Sequence, residues 1–443
     1  MISRLLRLQP GEAGLVLSLG ALLLLNAMAR QVSGIVGVSG FLSEGGVNQI
    51  LIVLAVDYLF ILLMTGVQSL IVDRFDRIKL LRAMVFGFAL VFVIVRMLFV
   101  YGVARWLVFA LLYIIAEQQW LVFPLVFWVL ANDILSMAQA KRLFPIIASF
   151  GFAGKLLGSV VTGVTPTLFA DLKVPGEEVL LLNVLFYLLA YLVMAAGLRR
   201  IRVAERVQRS ETVRETLSEG WGFVKEVSAF RYLMFALVAL TLSDTIIEFR
   251  FLVITDAAFP VQADYQRFYS IYSFLTTLVA FLIQGFVTSR LIGKVNIKNT
   301  FFLLPLAQTV GSLWMIGLPG LLSGIGALVL QRLSRDTIDE SSRKAFFSLV
   351  PDERRGRVSL FMESYVPACG TIAACGIAGA IVFAGIRLGI ANYYYIYLAV
   401  AFTAALFALW SIRNMRAAYD QSMLNWRLTR RRRRSSVLDK LEL

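Results

Sequence analysis

Residues 178–198 read EVLLLNVLFYLLAYLVMAAGL, with one charged side chain, and residues 391–411 read ANYYYIYLAVAFTAALFALWS, with none. At about 1.5 Å per residue, a helix of either length crosses a hydrocarbon layer of about 30 Å. Lipid offers no partner to a free backbone N–H or C=O, so such segments cross as helices. Working outward, the same depletion of charge recurs at 13–38, 48–72, 79–101, 106–131, 145–169, 231–255, 268–289, 299–317, 320–335 and 358–384. The expected fold class is therefore an all-α polytopic membrane protein with twelve transmembrane helices.

Composition agrees: of 443 residues, 59% are apolar and 16% charged, and the mean hydropathy is +0.78. The net charge of +15 collects in short connections and in the tail, where RRRRR occupies 430–434. Outside the spans, only Arg105, Lys173, Arg267 and Arg387 lie opposite the side that carries the N-terminus. By the positive-inside rule both termini are cytoplasmic, and the cell membrane is the expected location. The tail then holds to anionic lipid, at about 1 kcal/mol per basic residue near the surface, and nucleic acid is not a partner. Arg4 and Arg7 ahead of an apolar run, with Ala27-Met28-Ala29, have the form of a signal peptide. Because the uncut chain divides into two halves of six spans, this segment is read as the first span.

There is no histidine, and Cys369 and Cys375 share one apolar segment. Neither a disulfide framework nor a metal site is expected, and no cofactor. No G-x-x-x-x-G-K-[ST] loop occurs, which argues against a primary pump, and nothing suggests an enzyme.

The longest polar connection, 199–230, spaces Val213, Leu217, Trp221 and Val224 as the apolar face of a cytoplasmic amphipathic helix. DRFDRIK at 73–79 echoes SRLIGKVNIK at 289–298, and Arg142, Ser149 and Ala153 echo Arg357, Ser364 and Ala368. The common offset implies parallel repeats. The expected organisation is a six-helix bundle over 1–198, the linker 199–230, a second six-helix bundle over 231–412 and a basic cytoplasmic tail over 413–443.

Two such repeats with a cytoplasmic linker and inside termini resemble the major facilitator superfamily. Asp73, Arg74 and Arg77 match that superfamily's loop after the second span, while Ser69 and Asp76 stand where it has glycines. A closer resemblance lies in 127–159 and 343–370, which look like the nucleotide transporter (ATP:ADP antiporter) family and its bacterial relatives. It is carried by Trp128, Asn132, Ala140, Lys141, Arg142, Gly151, Gly154 and Gly158, and by Leu349, Val350, Pro351 and Arg355. The first span of nucleotide exchangers carries Arg-x-x-Lys-Asp; here Ala27, Arg30 and Gln31 stand in its place, so the acid is absent.

An ionisable group within a span costs about 2.5–3.5 kcal/mol on insertion scales, so it faces a wet cavity or an ionic partner. Asn26, Arg30, Ser33 and Gly37 form a polar stripe on one face of the first span. Lys155 sits among Gly151, Gly154 and Gly158, a spacing that permits close packing and offers a point charge to a phosphate or carboxylate. The major-facilitator resemblance implies that spans one, four and seven line a central cavity. The candidate substrate-binding residues are thus Asn26, Arg30, Glu117, Trp120, Lys155, Asp244, Glu248 and Arg250, with Glu117, Asp244 and Glu248 candidates for proton coupling. The competing reading has Arg30 and Arg250 neutralising Asp57 or Glu248 as interhelix ion pairs. Arg96 and Glu363, near span ends, are expected to snorkel to headgroups.

These features support a monomeric secondary carrier that moves a small organic anion or phosphorylated metabolite by alternating access. Two other readings stay open: a proton-coupled exporter of a lipophilic compound or lipid, and a noncatalytic membrane scaffold.

Overall fold

The computed structural model describes residues 9, 12–71, 76–172, 174, 176–199, 213–288, 291, 294–295, 297–347, 350 and 352–438, and among these no strand occurs. Helix α1 spans Ala13–Gly45, α2 Ile50–Ile71, α3 Arg77–Val100, α4 Arg105–Ile134, α5 Met137–Leu172 and α6 Leu180–Gly197. After the linker helix α7, Val213–Glu226, come α8 Ser228–Ala258, α9 Gln262–Ile283 and α10 Leu303–Gly317. Helix α11, Leu321–Leu333, runs through a wide π turn at Ser334–Asp339 into α12, Glu340–Phe347. Helix α13, Asp352–Leu360, continues through a second π turn at Phe361–Tyr365 into α14, Val366–Arg387. Last comes α15, Tyr394–Leu438.

Local chemistry sets several ends. Gly46, at φ +81°, turns the chain out of α1 with its N–H on the Leu42 carbonyl, a left-handed backbone that suits glycine. Asp76 caps α3, its carboxylate accepting from the N–H groups of Ile78 (2.9 Å) and Lys79 (3.2 Å). That gives a physical use to an acid standing where the superfamily loop has glycine. Arg77 pairs with Asp133 and ties α3 to α4. Ser69, Asp73 and Arg74 lie outside the residues whose side chains are described.

Among the described residues, ten helices are long and apolar enough to cross a membrane, so the chain is an all-α multi-pass membrane protein. The seventh expected span lies in α8, whose 31 residues are long enough but carry Asp244, Glu248 and Arg250. The tenth lies in α11, which reaches spanning length only together with its π turn.

The helices form two compact units, Met1–Glu211 with Leu252–Phe281, and Thr212–Phe251 with Leu282–Leu443. In the first, α1 is the central element and packs on α4, α5 and α6. A Cβ on Gly154 of α5 would strike the Leu24 carbonyl of α1 and come within 2.9 Å of the Ala27 Cβ; one on Gly158 would lie 2.7 Å from the Gln31 Cβ. The glycine spacing of the fifth span therefore serves close helix approach. The second unit repeats the device. A Cβ on Gly370 of α14 would strike Thr241 Oγ1 and lie 2.6 Å from the Val238 carbonyl of α8. Gly370, Val238 and Thr241 stand roughly 215 residues after Gly154, Leu24 and Ala27, so the repeat seen in the sequence extends to backbone packing.

The linker helix α7 docks within the second unit. Phe223 and Val224 are buried with Phe230, Phe346, Phe347 and Met362, and Gly220 lies against Phe361. Leu217 and Trp221, expected on the apolar face, are exposed. Past Tyr419 the side chains of α15, including Trp426 and the arginine run, lie outside the described residues.

Candidate functional site

In the first unit the polar stripe of α1 turns toward α4 and α6. Asn26 is buried; its Nδ2 donates to the Gln119 carbonyl at 3.2 Å, and its Oδ1 accepts from the Tyr187 hydroxyl at 2.8 Å. Gln119 Nε2 donates to that hydroxyl at 2.7 Å, and Ser33 Oγ accepts from Asn183 Nδ2 at 2.8 Å. Each polar atom satisfied in this dry layer avoids a desolvation penalty of about 1–3 kcal/mol. Asn26 therefore bolts three helices together.

One turn along, the stripe is no longer fully buried. Arg30 NH2 lies 3.4 Å from Glu117 Oε1, with side chains 24% and 28% exposed. The Arg30 guanidinium carbon is 5.6 Å from the centre of the Trp120 ring, and that indole is 51% exposed. A cation, an acid and an accessible aromatic face thus share one surface of α1 and α4, an arrangement that can hold a charged group and stack an apolar one. Lys155 is half-buried on α5, with Nζ 5.7 Å from the Phe152 ring centre.

Asp57 of α2 behaves differently from the sequence expectation. It is 1% exposed, and neither carboxylate oxygen has a hydrogen-bond partner among the described residues. Arg30 pairs with Glu117 instead. Arg96, expected to snorkel, donates from Nε to Glu178 at 3.0 Å and joins α3 to the turn that precedes α6.

In the second unit the three candidates of α8 diverge. Asp244 accepts from Arg335 NH1 at 2.5 Å and from the Gln331 amide. Glu248 pairs with Arg332 at 2.7 Å. Arg250 stacks 4.0 Å from the centre of the Tyr394 ring and reaches the Tyr397 hydroxyl at 3.5 Å, so it neutralises neither Asp57 nor Glu248. The structure thus adds Gln331, Arg332 and Arg335 to the site. Their residue types were visible, but they close the tenth span, where hydropathy assigns arginines to the basic inner connection. The signal that could have found them is the spacing of 332 and 335, which puts both on one helical face toward the acids of α8.

Among the described residues no cluster of three or more Cys, Asp or Glu side chains could hold a metal. What each unit offers is a set of partly exposed ion pairs on long apolar helices.

The fold is shared with transporters of the major facilitator type. A mutant of the nucleoside transporter NupG aligns over 91% of this chain and 100% of its own, at 14% identity and a TM-score of 0.60. A POT family transporter in complex with 5-aminolevulinic acid aligns over 90% and 96%, at 12% identity and 0.63. A bacterial homologue of the lysosomal transporter Spinster, inward-facing and unoccupied, aligns over 94% and 98%, at 13% identity and 0.60. No curated protein matches the sequence. The family model of the TLC ATP/ADP transporters matches residues 88–330. That match covers more than half of the chain and takes in Arg96, Glu117, Lys155 and the α8 residues Asp244, Glu248 and Arg250, and the chain accordingly belongs to the TLC ATP/ADP transporter family.

Proposed function

We propose that this transporter carries an organic anion, a nucleotide or another phosphorylated metabolite, and that it does so by alternating access. The observation that carries the reading is the Arg30–Glu117 pair beside an exposed Trp120, in a chain of a family named for ATP/ADP transport. A guanidinium held by an internal carboxylate can exchange that partner for a substrate phosphate, and a carboxylate set free can take a proton or return when substrate leaves. Glu117, Asp244 and Glu248 are the acids placed for such coupling, and Trp120 offers a face to a base or other flat group. Lys155 supplies a further point charge. The chain would work as a monomer of two six-helix bundles, 1–198 and 231–412, in the cell membrane with both termini cytoplasmic.

Charge reversal at Lys155 tests the reading. In proteoliposomes the parent protein takes up a labelled phosphorylated solute, and Lys155→Glu lowers that uptake at least about tenfold, the loss of one charge-assisted contact. Uptake untouched by Lys155→Glu, or export of a lipophilic dye in place of anion uptake, would reject it.

A further inference from the structure

We infer that Arg332 and Arg335 of α11 form an oxyanion site, which receives a phosphoryl group of the carried solute in exchange for Asp244 and Glu248. The inference rests on the anionic substrate proposed above and names the groups that hold its charge within the second unit.

The two arginines lie three residues apart, on one face of α11. Arg332 holds Glu248 at 2.7 Å and Arg335 holds Asp244 at 2.5 Å. All four side chains are partly exposed, from 14% for Asp244 to 35% for Arg335. A carboxylate on a guanidinium occupies the donor positions that a phosphoryl oxygen takes, so the internal acids mark where a bound oxyanion would sit.

Exchange needs the displaced acid to keep a partner, because a stranded buried charge is costly. Asp244 has one: the Gln331 amide donates to its other carboxylate oxygen and lies 3.4 Å from its backbone carbonyl. Arg335 also touches Asp336, Nε to Oδ1 at 3.1 Å, so neither group is left bare while partners change. The π turn Ser334–Asp339 begins at this position, and such wide turns recur at functional sites.

The repeat gives a second line of argument. Asp244 stands roughly 215 residues after Arg30, and Arg332 the same distance after Glu117, each on the matching helix of its half. The first unit puts the base on the leading helix and the acid on the fourth, whereas the second unit inverts them. The repeat-related positions therefore carry opposite polarity in the two halves, and in the second each is balanced by a neighbour, Asp244 by Arg335 and Arg332 by Glu248.

The test is binding of radiolabelled ATP, glucose 6-phosphate and inorganic phosphate to the purified full-length protein in lipid nanodiscs, with thermal unfolding measured in parallel. Arg335→Gln and Arg332→Gln are expected to weaken phosphate-bearing probes at least about tenfold, as loss of a charge-assisted pair does. Asp244→Asn, by removing a competitor, tightens them. Because a lone buried charge could unfold the single variants, the double variant Arg335→Gln with Asp244→Asn decides. Weak probe binding with a parent-like Tm supports the site. Parent-like binding in the double variant, or Asp244→Asn weakening the probes as much as Arg335→Gln, overturns it while leaving the anion reading intact. A parent protein that binds none of the three probes removes both.

Discussion

The Arg30 guanidinium stands 3.4 Å from the Glu117 carboxylate and joins the central helix of the first unit to α4. Whether that pair holds the helices together or awaits a substrate is separable by a double-mutant cycle. Arg30→Gln and Glu117→Gln should each lower stability by about 1–3 kcal/mol, because each leaves the other charge without its partner. Combining them should recover most of that loss. Transport should stay abolished in the double variant, as read by uptake into proteoliposomes beside thermal unfolding. Recovery of flux together with stability would reduce the pair to a structural brace.

At the start of α1 the Gln9 backbone N–H donates to Glu12 at 3.0 Å. Arg142 grips both Glu12 oxygens at 2.7 and 2.9 Å, and Gln139 donates at 3.1 Å. These donors hold the Glu12 carboxyl below its ordinary value of 4.5, the Gln9 N–H contributing most, against an opposing push from burial. A depressed folded-state value means that the unfolded chain binds the proton more readily. The contribution to stability is therefore complete above about pH 4.5 and lost as pH falls through the lower, folded value. Thermal unfolding from pH 7 to pH 3 should show a declining acid limb that is shallower in Glu12→Gln. Identical limbs would show that the contact adds nothing.

The spans were legible because lipid penalises every unpaired polar group, which leaves a composition signal that needs no partner to be read. The glycines of α5 were legible for a related reason, since close approach demands a missing side chain. Pairing was not. On sequence grounds Arg30 is expected to neutralise Asp57 or Glu248, whereas the rotation of α1 against α4 selects Glu117. Arg250 turned to Tyr394 and Tyr397, aromatic partners whose affinity for a guanidinium leaves no charge pattern to search for. Arg96 found Glu178 across a gap of 82 residues, which reduces the need to reach for headgroups. Arg332 and Arg335 were hidden by a hydropathy edge, because the wide turn after Leu333 carries the helix past the point where charge density suggests a loop.

Asp57 is sealed at 1% exposure with neither oxygen hydrogen-bonded among the described residues. Gln118 is its neighbour, and that amide too has both ends unpartnered. Burying an unpaired carboxylate is costly, whereas an amide of the same shape could donate to Gln118 Oε1. Asp57→Asn should raise Tm by about 1 °C, corresponding to about 1 kcal/mol at the usual unfolding entropy per residue for a chain of 443 residues. A fall in Tm, or lost uptake at unchanged stability, would instead assign the acid a part in transport.

Within α14 the repeat makes a graded prediction. A Cβ on Gly370 meets the Val238 carbonyl and Thr241 of α8, while one on Gly376, further along the same helix, meets nothing within 4 Å. Gly370→Val should therefore destabilise by about 1–3 kcal/mol through overpacking. Gly376→Ala should stabilise by roughly 0.5–1 kcal/mol, the conformational freedom glycine loses in a helix. Gly154→Val, which drives α5 off the Leu24 carbonyl of α1, should cost as much as Gly370→Val if the two units share one packing plan. Thermal or denaturant unfolding of the three variants reads the comparison. A Gly154→Val cost well below that of Gly370→Val would show that the α1–α5 contact yields where its counterpart does not, and that the repeat is a likeness of sequence without a likeness of packing energy.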